Sequence, residues 1–268
     1  MNRLVFLLTL VLVPSLHARP VHARSAQEAY EAGVSALRSG DHDAAVTALA
    51  EAVESGGRHP AAYHALGNAL YRSEARGHAT AAWRRAAALA PRDGDIEANL
   101  DRAHRESVDR IEASSTSGFS WHRVLAPFEA ALLAGVLIAL GLAAAALRTH
   151  RSRGRGRGTL FGSESVVLIG LGVLVAGGVA VSAGRPAGAV VVADAASARS
   201  TPGAGGVELF VLHAGAEVVQ LEESGTHALV SLPDERKGWL PLEALVSTDP
   251  AGPFPLPAPR GEEPTPAK

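Results

Sequence analysis

A repeat with a period of 34 residues places the strongest constraint on how this chain folds. Four positions recur at that spacing: Gly33 as Gly67, Ala45 as Ala79, Leu49 as Trp83, and Ala52 as Ala86. Small residues let two helices cross closely, and a bulky side chain fills the groove beside the crossing. The period therefore predicts two helical hairpins over residues 26–93, followed by one further helix from Asp95 to about Ile111.

This pattern resembles the tetratricopeptide repeat (TPR). The resemblance implies an all-α TPR solenoid in residues 24–112 that binds peptides or partner proteins along a concave face. By register, the residues of that face are Tyr30, Val34, Arg38, His64, Asn68, Tyr71, Arg72, Arg102 and Arg105. Arginine matches carboxylates bidentately, so this face either clamps acidic groups of a partner or is an ordinary solvated helix surface.

Three apolar blocks predict export and membrane insertion. Residues 1–23 begin with one basic residue, Arg3, followed by a short apolar run and by small residues before Arg24, which is typical of a signal peptide cleaved after Ala23. The alternative is an uncleaved N-terminal anchor. Residues 124–147 and 166–184 are long and apolar, and neither shows the polar face of a soluble amphipathic helix. We expect them to form a two-helix transmembrane hairpin rather than a buried soluble helix pair.

The loop between the two predicted spans, residues 148–165, is rich in arginine. Short basic loops beside membrane helices stay in the cytoplasm, which would place the N- and C-terminal domains in the periplasm of a bacterial inner membrane. A nucleic-acid-binding role for this loop is disfavoured because it is short and lies between two spans. The net charge of −2 also excludes a globally basic nucleic-acid binder.

Both predicted spans carry small residues at four-residue spacing. Such positions allow close helix packing in a membrane, within the hairpin or against a partner's span, although they can also arise by chance in alanine-rich sequence. They are Gly135, Ala139 and Ala143 in the first span, and Gly172, Ala176 and Ala180 in the second.

After residue 187 the chain changes to short β-rich runs separated by Gly- and Ser-rich turns, which predicts a small all-β domain. The order of three segments (198–200, 213–216 and 237–240, the last containing Gly238-Trp239) resembles a bacterial SH3 domain over residues 187–247. The resemblance implies an SH3-like barrel, in which Trp239 is either a structural plug or a contact for a cell-wall peptide. Residues 113–123 read as a Ser-rich linker, and residues 248–268 as a Pro-rich, disordered tail.

No catalytic constellation is present in the sequence. The chain has no cysteine, so thiolate chemistry, thiolate metal sites and disulfides are excluded. His59 and His64 do not have the spacing of a helical zinc motif, and no phosphate-binding loop follows a strand. We therefore expect no enzyme activity, no cofactor and no metal site.

The predicted fold class is a multidomain membrane protein. The order of its predicted parts (signal peptide, TPR domain, two spans around a basic loop, SH3-like domain) resembles the BatE family of aerotolerance operons. The resemblance implies a subunit of an inner-membrane complex, with membrane proteins bearing von Willebrand A domains and an AAA+ ATPase system as partners. We interpret the chain as a non-catalytic protein-interaction scaffold. The alternative is a sensor or binder of cell-wall peptidoglycan through the SH3-like domain.

Overall fold

A computed structural model describes residues 20–56, 58–109, 127–152, 163–183, 188–203 and 205–258. In these ranges the chain forms seven α-helices: α1 Pro20–Ser39, α2 His42–Gly56, α3 Pro60–Arg72, α4 Arg76–Leu89, α5 Gly94–Glu106, α6 Pro127–Ser152 and α7 Ser163–Ala183. It also forms seven strands: β1 Gly188–Val191, β2 Ala195–Arg199, β3 Glu208–His213, β4 Glu217–Ser224, β5 His227–Ser231, β6 Lys237–Pro241 and β7 Leu245–Ser247, with a 3₁₀ turn at Leu242–Ala244. The predicted linker at 113–123, nearly all of the predicted signal peptide and most of the predicted Arg-rich loop lie outside the described residues.

Helices α1–α5, which we call the helical unit, form two antiparallel hairpins closed by α5. The recurring glycines lie where the paired helices cross. A Cβ placed on Gly33 would lie 2.4 Å from Cγ of Leu49, and one placed on Gly67 would lie 2.5 Å from the Trp83 ring. The core between the hairpins is made of fully buried leucines and Trp83. The Asp93 side chain begins α5 by accepting hydrogen bonds from the first helical N–H groups.

The strands form one antiparallel sheet in the order β3-β2-β6-β5-β4-β1-β7. Alternate residues of β2, β5 and β6 are buried and pack with Leu212 and Val218 into the core of the sheet. Gly238 is required by this packing, because a Cβ there would lie 2.9 Å from Cβ of Ala198. The alternation of buried and half-buried positions is that of a sheet with one covered face.

The predicted SH3-like barrel is wrong, because the sheet is open and β3 and β7 are its edges. Side chains of the helical unit and of Asp109, which follows α5, contact the two edge strands. The backbone N–H of His213, in β3, donates to the Asp109 carboxylate at 2.6 Å. The Ser247 carbonyl, in β7, accepts from Nε of Arg85 at 2.9 Å. Because these edge groups bond to the helical unit, they are not available for strand pairing that would close a barrel.

The predicted TPR solenoid is also wrong. In a solenoid each repeat contacts only its neighbouring repeats. Here α4 packs directly on β1, since a Cβ on Gly77 would lie 2.5 Å from the Val191 carbonyl oxygen. Val190, Val246 and Phe254 are buried in the same core as the helices. The helical unit and the sheet are therefore fused around a shared core, with two hairpins and one closing helix instead of a repeat array.

Helices α6 and α7 pack against each other in antiparallel orientation, with Gly141 against Ile169 and Gly172 against Ile138. The predicted two-span hairpin is wrong: among the described residues only Glu129–Arg148 is long and apolar enough to cross a membrane. The apolar part of α7, Ser165–Gly178, would rise only about 21 Å, which is short of a hydrocarbon core of about 30 Å.

Candidate protein-interaction surface

Helices α1, α3 and α5 present one common side of the helical unit, which we call the odd-helix face. The structure places the predicted partner-binding residues on these three helices. Tyr30 and Val34 are half-buried against the helical core, and His64, Asn68 and Tyr71 are half-buried as well. Arginines occupy the exposed positions near the helix ends; they are Arg38, Arg72, Arg102 and Arg105.

A network of side-chain hydrogen bonds links α3, α4 and α5 beneath this face. The Asn99 amide donates to Nε2 of His64 at 2.9 Å and to Oδ1 of Asn68 at 3.0 Å. Nε1 of Trp83 donates to the same Asn68 oxygen at 3.2 Å. Because these groups satisfy one another in a half-buried setting, they hold the face in a fixed arrangement. The sequence interpretation placed Asn99 in register with the period of 34 but did not include it among the partner-binding residues.

Tyr71 lies between this network and the end of α5. Its hydroxyl donates to the Glu106 carboxylate at 2.7 Å, and its ring centroid is 5.5 Å from that of Trp83. The hydrogen bond to Glu106 and burial raise the pKa of the Tyr71 hydroxyl, and the charges of Arg102 and Arg76 oppose that shift.

Arg72, Arg102 and Arg105 make no ion pair within the parts of the chain that the structure describes. Unpaired guanidinium groups next to fixed amides can bind carboxylates in bidentate geometry. The arrangement therefore provides donors for an acidic ligand, whereas the network beneath it supplies rigidity and no reactive group.

Two sets of ionic contacts join α4, α5 and the residues after α5 to the sheet. Glu217 accepts from Nε of Arg84 at 2.7 Å and lies 2.8 Å from Nε2 of His104. Burial opposes ionisation of Glu217, but the His104 hydrogen bond and the Arg84 charge together lower its pKa. On β3, Nδ1 of His213 lies 3.0 Å from the Asp109 carboxylate. These contacts hold α4 and α5 on the sheet, and none of them involves Arg72, Arg102 or Arg105.

A cavity of about 650 Å³ lies between α2, the start of α4, the end of β1 and residues 256–258. Asp43, Asp194 and His78 are among the residues that line it. Burial lowers the pKa of His78 to about 4, so this imidazole is neutral at physiological pH.

On the sheet, Trp239 is half-buried in β6, paired with Arg199 on one side and Leu229 on the other. It lies outside the buried core cluster, so part of its ring faces solvent. In the contact between α6 and α7, Gly172 lies against Ile138. Gly135, Ala139, Ala143 and Ala176 are exposed, and the side chain of Ala180 lies outside the described residues. Gly141, which the sequence interpretation did not include, makes the reciprocal contact in α6.

Among the described residues, no group of three or more His, Asp or Glu side chains has the arrangement of a metal site. No known protein-family model matches the chain, and no curated protein or solved structure is significantly similar to it. The resemblance to the BatE family therefore stays a prediction from the sequence.

Proposed function

We propose that the protein is a non-catalytic scaffold that binds acidic segments of partner proteins at a membrane surface. The observation that carries this proposal is the odd-helix face, where Arg72, Arg102 and Arg105 are exposed above a network of satisfied amides. A rigid surface bearing unpaired guanidinium groups suits carboxylate ligands, because little ordering entropy is lost when they bind.

The surface of α6 supports attachment to a membrane. Large apolar side chains of this helix are exposed in the folded chain; Leu132, Leu140 and Leu147 are each more than half accessible. Water does not tolerate a contiguous apolar surface of this kind, whereas lipid does.

The partners to seek first come from the resemblance to the BatE family. They are membrane proteins with von Willebrand A domains and an associated AAA+ ATPase, on the periplasmic side of a bacterial inner membrane. Acidic segments of such proteins would be the ligands of the odd-helix face, and peptidoglycan would not be required.

The test is capture of tagged full-length protein from crosslinked, mildly solubilised membranes, followed by mass spectrometry. The charge-reversal pair Arg72→Glu and Arg102→Glu should abolish recovery of the partner proteins. The control is Arg58→Glu, which makes the same change at an exposed arginine outside the odd-helix face. If the unaltered protein, the charge-reversal pair and the Arg58→Glu control all recover the partner proteins equally, the odd-helix face has no role in binding them.

Trp239 supports a second candidate, the binding of cell-wall peptide by the sheet. Its ring lies outside the buried core, and its register partner on β2 is Arg199. A partly exposed aromatic residue on a strand beside a cationic residue suits a peptide bearing carboxylates. Full-length protein should then sediment with isolated peptidoglycan, and Trp239→Ala should abolish this. Sedimentation that does not depend on Trp239 would contradict the assignment.

A further inference from the structure

The junction between the helical unit and the sheet contains a fully buried charge. Arg85, in α4, has an exposed fraction of 0%, and its hydrogen bonds to the second half of the chain all go to backbone carbonyls. Nε donates to Ser247 at 2.9 Å, and the two terminal nitrogens donate to Gly252 and Pro253, each at 2.8 Å. A guanidinium in a dry junction is tolerated only while such acceptors are in place.

The acceptors belong mainly to residues 248–258, which we call the C-terminal strap. The sequence predicted a disordered tail here, but this part of the chain packs on α3 and α4. Phe254 is buried, with its ring centroid 5.0 Å from the Arg85 guanidinium carbon. The Tyr63 hydroxyl donates to the Pro250 carbonyl at 3.2 Å. One aromatic anchor and a short row of carbonyls therefore hold the strap.

The proline content of the strap matches the chemistry of Arg85. Arginine offers only donors, and a proline residue brings a carbonyl without an N–H group that would itself need a partner on burial. Pro250 and Pro253 each supply a carbonyl to the site. The Arg85 site is thus selective for an extended segment rich in acceptors and poor in donors.

We propose that the C-terminal strap is a latch whose docking holds the helical unit and the sheet together through the charge of Arg85. When the strap is docked, its carbonyls compensate the guanidinium. When it leaves, Arg85 loses Gly252 and Pro253, and the charge draws water into the contact between α4 and β1. The device goes beyond the scaffold proposal and does not depend on any partner.

The charge makes the latch distinguishable from ordinary packing. If Phe254 were only a core residue, its removal would loosen the junction equally whether or not residue 85 is charged. In the latch, the junction opens because an uncompensated cation must be hydrated. With a neutral residue 85, strap release should leave the apolar contacts of Val190 and Val246 closed.

The experiment is hydrogen exchange, read by mass spectrometry, on the full-length protein in detergent. Two amides of the sheet that lie beneath α4 at Gly77 report on opening: Val192 N–H, which donates to Ala244, and Gly215 N–H, which donates to Val191, both at 2.8 Å. Phe254→Ala should speed their exchange about tenfold or more in the presence of Arg85. The same substitution combined with Arg85→Met should free the strap but change junction exchange less than about twofold.

Two further variants keep the result interpretable. Arg85→Gln removes the charge and keeps an amide donor, so it replaces Arg85→Met if that variant does not fold. Phe254→Leu keeps most of the apolar volume and should give an intermediate effect with Arg85. Junction exchange that rises equally in the charged and neutral backgrounds, or that stays unchanged when the strap is released from Arg85, would overturn the latch.

Discussion

The crossing of α3 and α4 gives a quantitative prediction for Gly67. A Cβ at this position would lie 2.5 Å from Cδ1 and Nε1 of Trp83, about 1 Å closer than ordinary van der Waals contact. The ring is fully buried and its Nε1 donates to Asn68, so it cannot move aside without breaking that bond. Gly67→Ala should therefore force the two helices apart.

Overpacking of this kind costs about 1–3 kcal/mol, against a gain of up to about 1 kcal/mol from the better helix propensity of alanine. Loss of the Trp83–Asn68 hydrogen bond adds about 1 kcal/mol. The net loss, about 1–3 kcal/mol, should lower the urea midpoint of the helical signal by about 1 M, since slopes are about 1–3 kcal/mol per M.

Gly94→Ala is the matched control, because it makes the same change in the first turn of α5, where no atom lies within 4 Å of the added Cβ. It should be neutral or stabilise by a few tenths of a kcal/mol. Both variants are unfolded in urea as full-length protein in detergent, followed by circular dichroism. If Gly67→Ala unfolds at the same urea concentration as Gly94→Ala, the close crossing is not a constraint on the fold.

Three further predictions concern the junction and the loss of stability at low pH. Gly77→Ala should lower the free energy of unfolding by about 1 kcal/mol or more, measured by urea denaturation, because its Cβ would meet the Val191 carbonyl oxygen at 2.5 Å. Because folding lowers the pKa of Glu217, its ionised carboxylate stabilises the fold at pH values above 4.5, the ordinary pKa, and this stabilisation is lost as the pH falls further. Urea midpoints measured between pH 6 and 3 should therefore fall less steeply with pH in Glu217→Gln than in the unaltered protein. His78 takes up its proton only near pH 4 when folded but near 6.5 when unfolded, so stability should fall as the pH drops from 6.5 to about 4, and His78→Asn should remove that slope in thermal unfolding.

The sequence predicted the parts of the fold that depend on local or regular spacing. The period of 34 residues placed Gly33 and Gly67 at helix crossings, because a small residue opposite a bulky one leaves a regular signature. The β-rich region after residue 187 was recognisable from its short strands and turns. The odd-helix face followed from the same register, and α5 begins and ends 34 residues after α3. The register did not reveal that Asn99 donates to Asn68, because that contact joins side chains of different repeats.

The architecture could not be predicted because it depends on contacts between distant segments. A barrel and an open sheet have the same strand pattern along the chain. What separates them here is whether the edge groups of β3 and β7 bond to another strand or to Asp109 and Arg85. The solenoid failed for a similar reason, since an apolar side of α4 does not reveal whether it packs on another helix or on β1.

Arg84 and Arg85 show which side-chain environments the local sequence can predict and which it cannot. Adjacent arginines in a helix ordinarily predict a solvated basic surface, and the half-exposed Arg84, which binds Glu217, is close to that expectation. Arg85 points about 100° further round the helix and is completely buried. Its acceptors lie more than 160 residues later, one at the end of β7 and two in a segment whose prolines predict disorder. Prolines lack the N–H group that a strand needs, and for the same reason they suit a buried guanidinium, which requires only acceptors. The prolines that predicted a free tail therefore belong to the segment that binds Arg85 and is held in place by it.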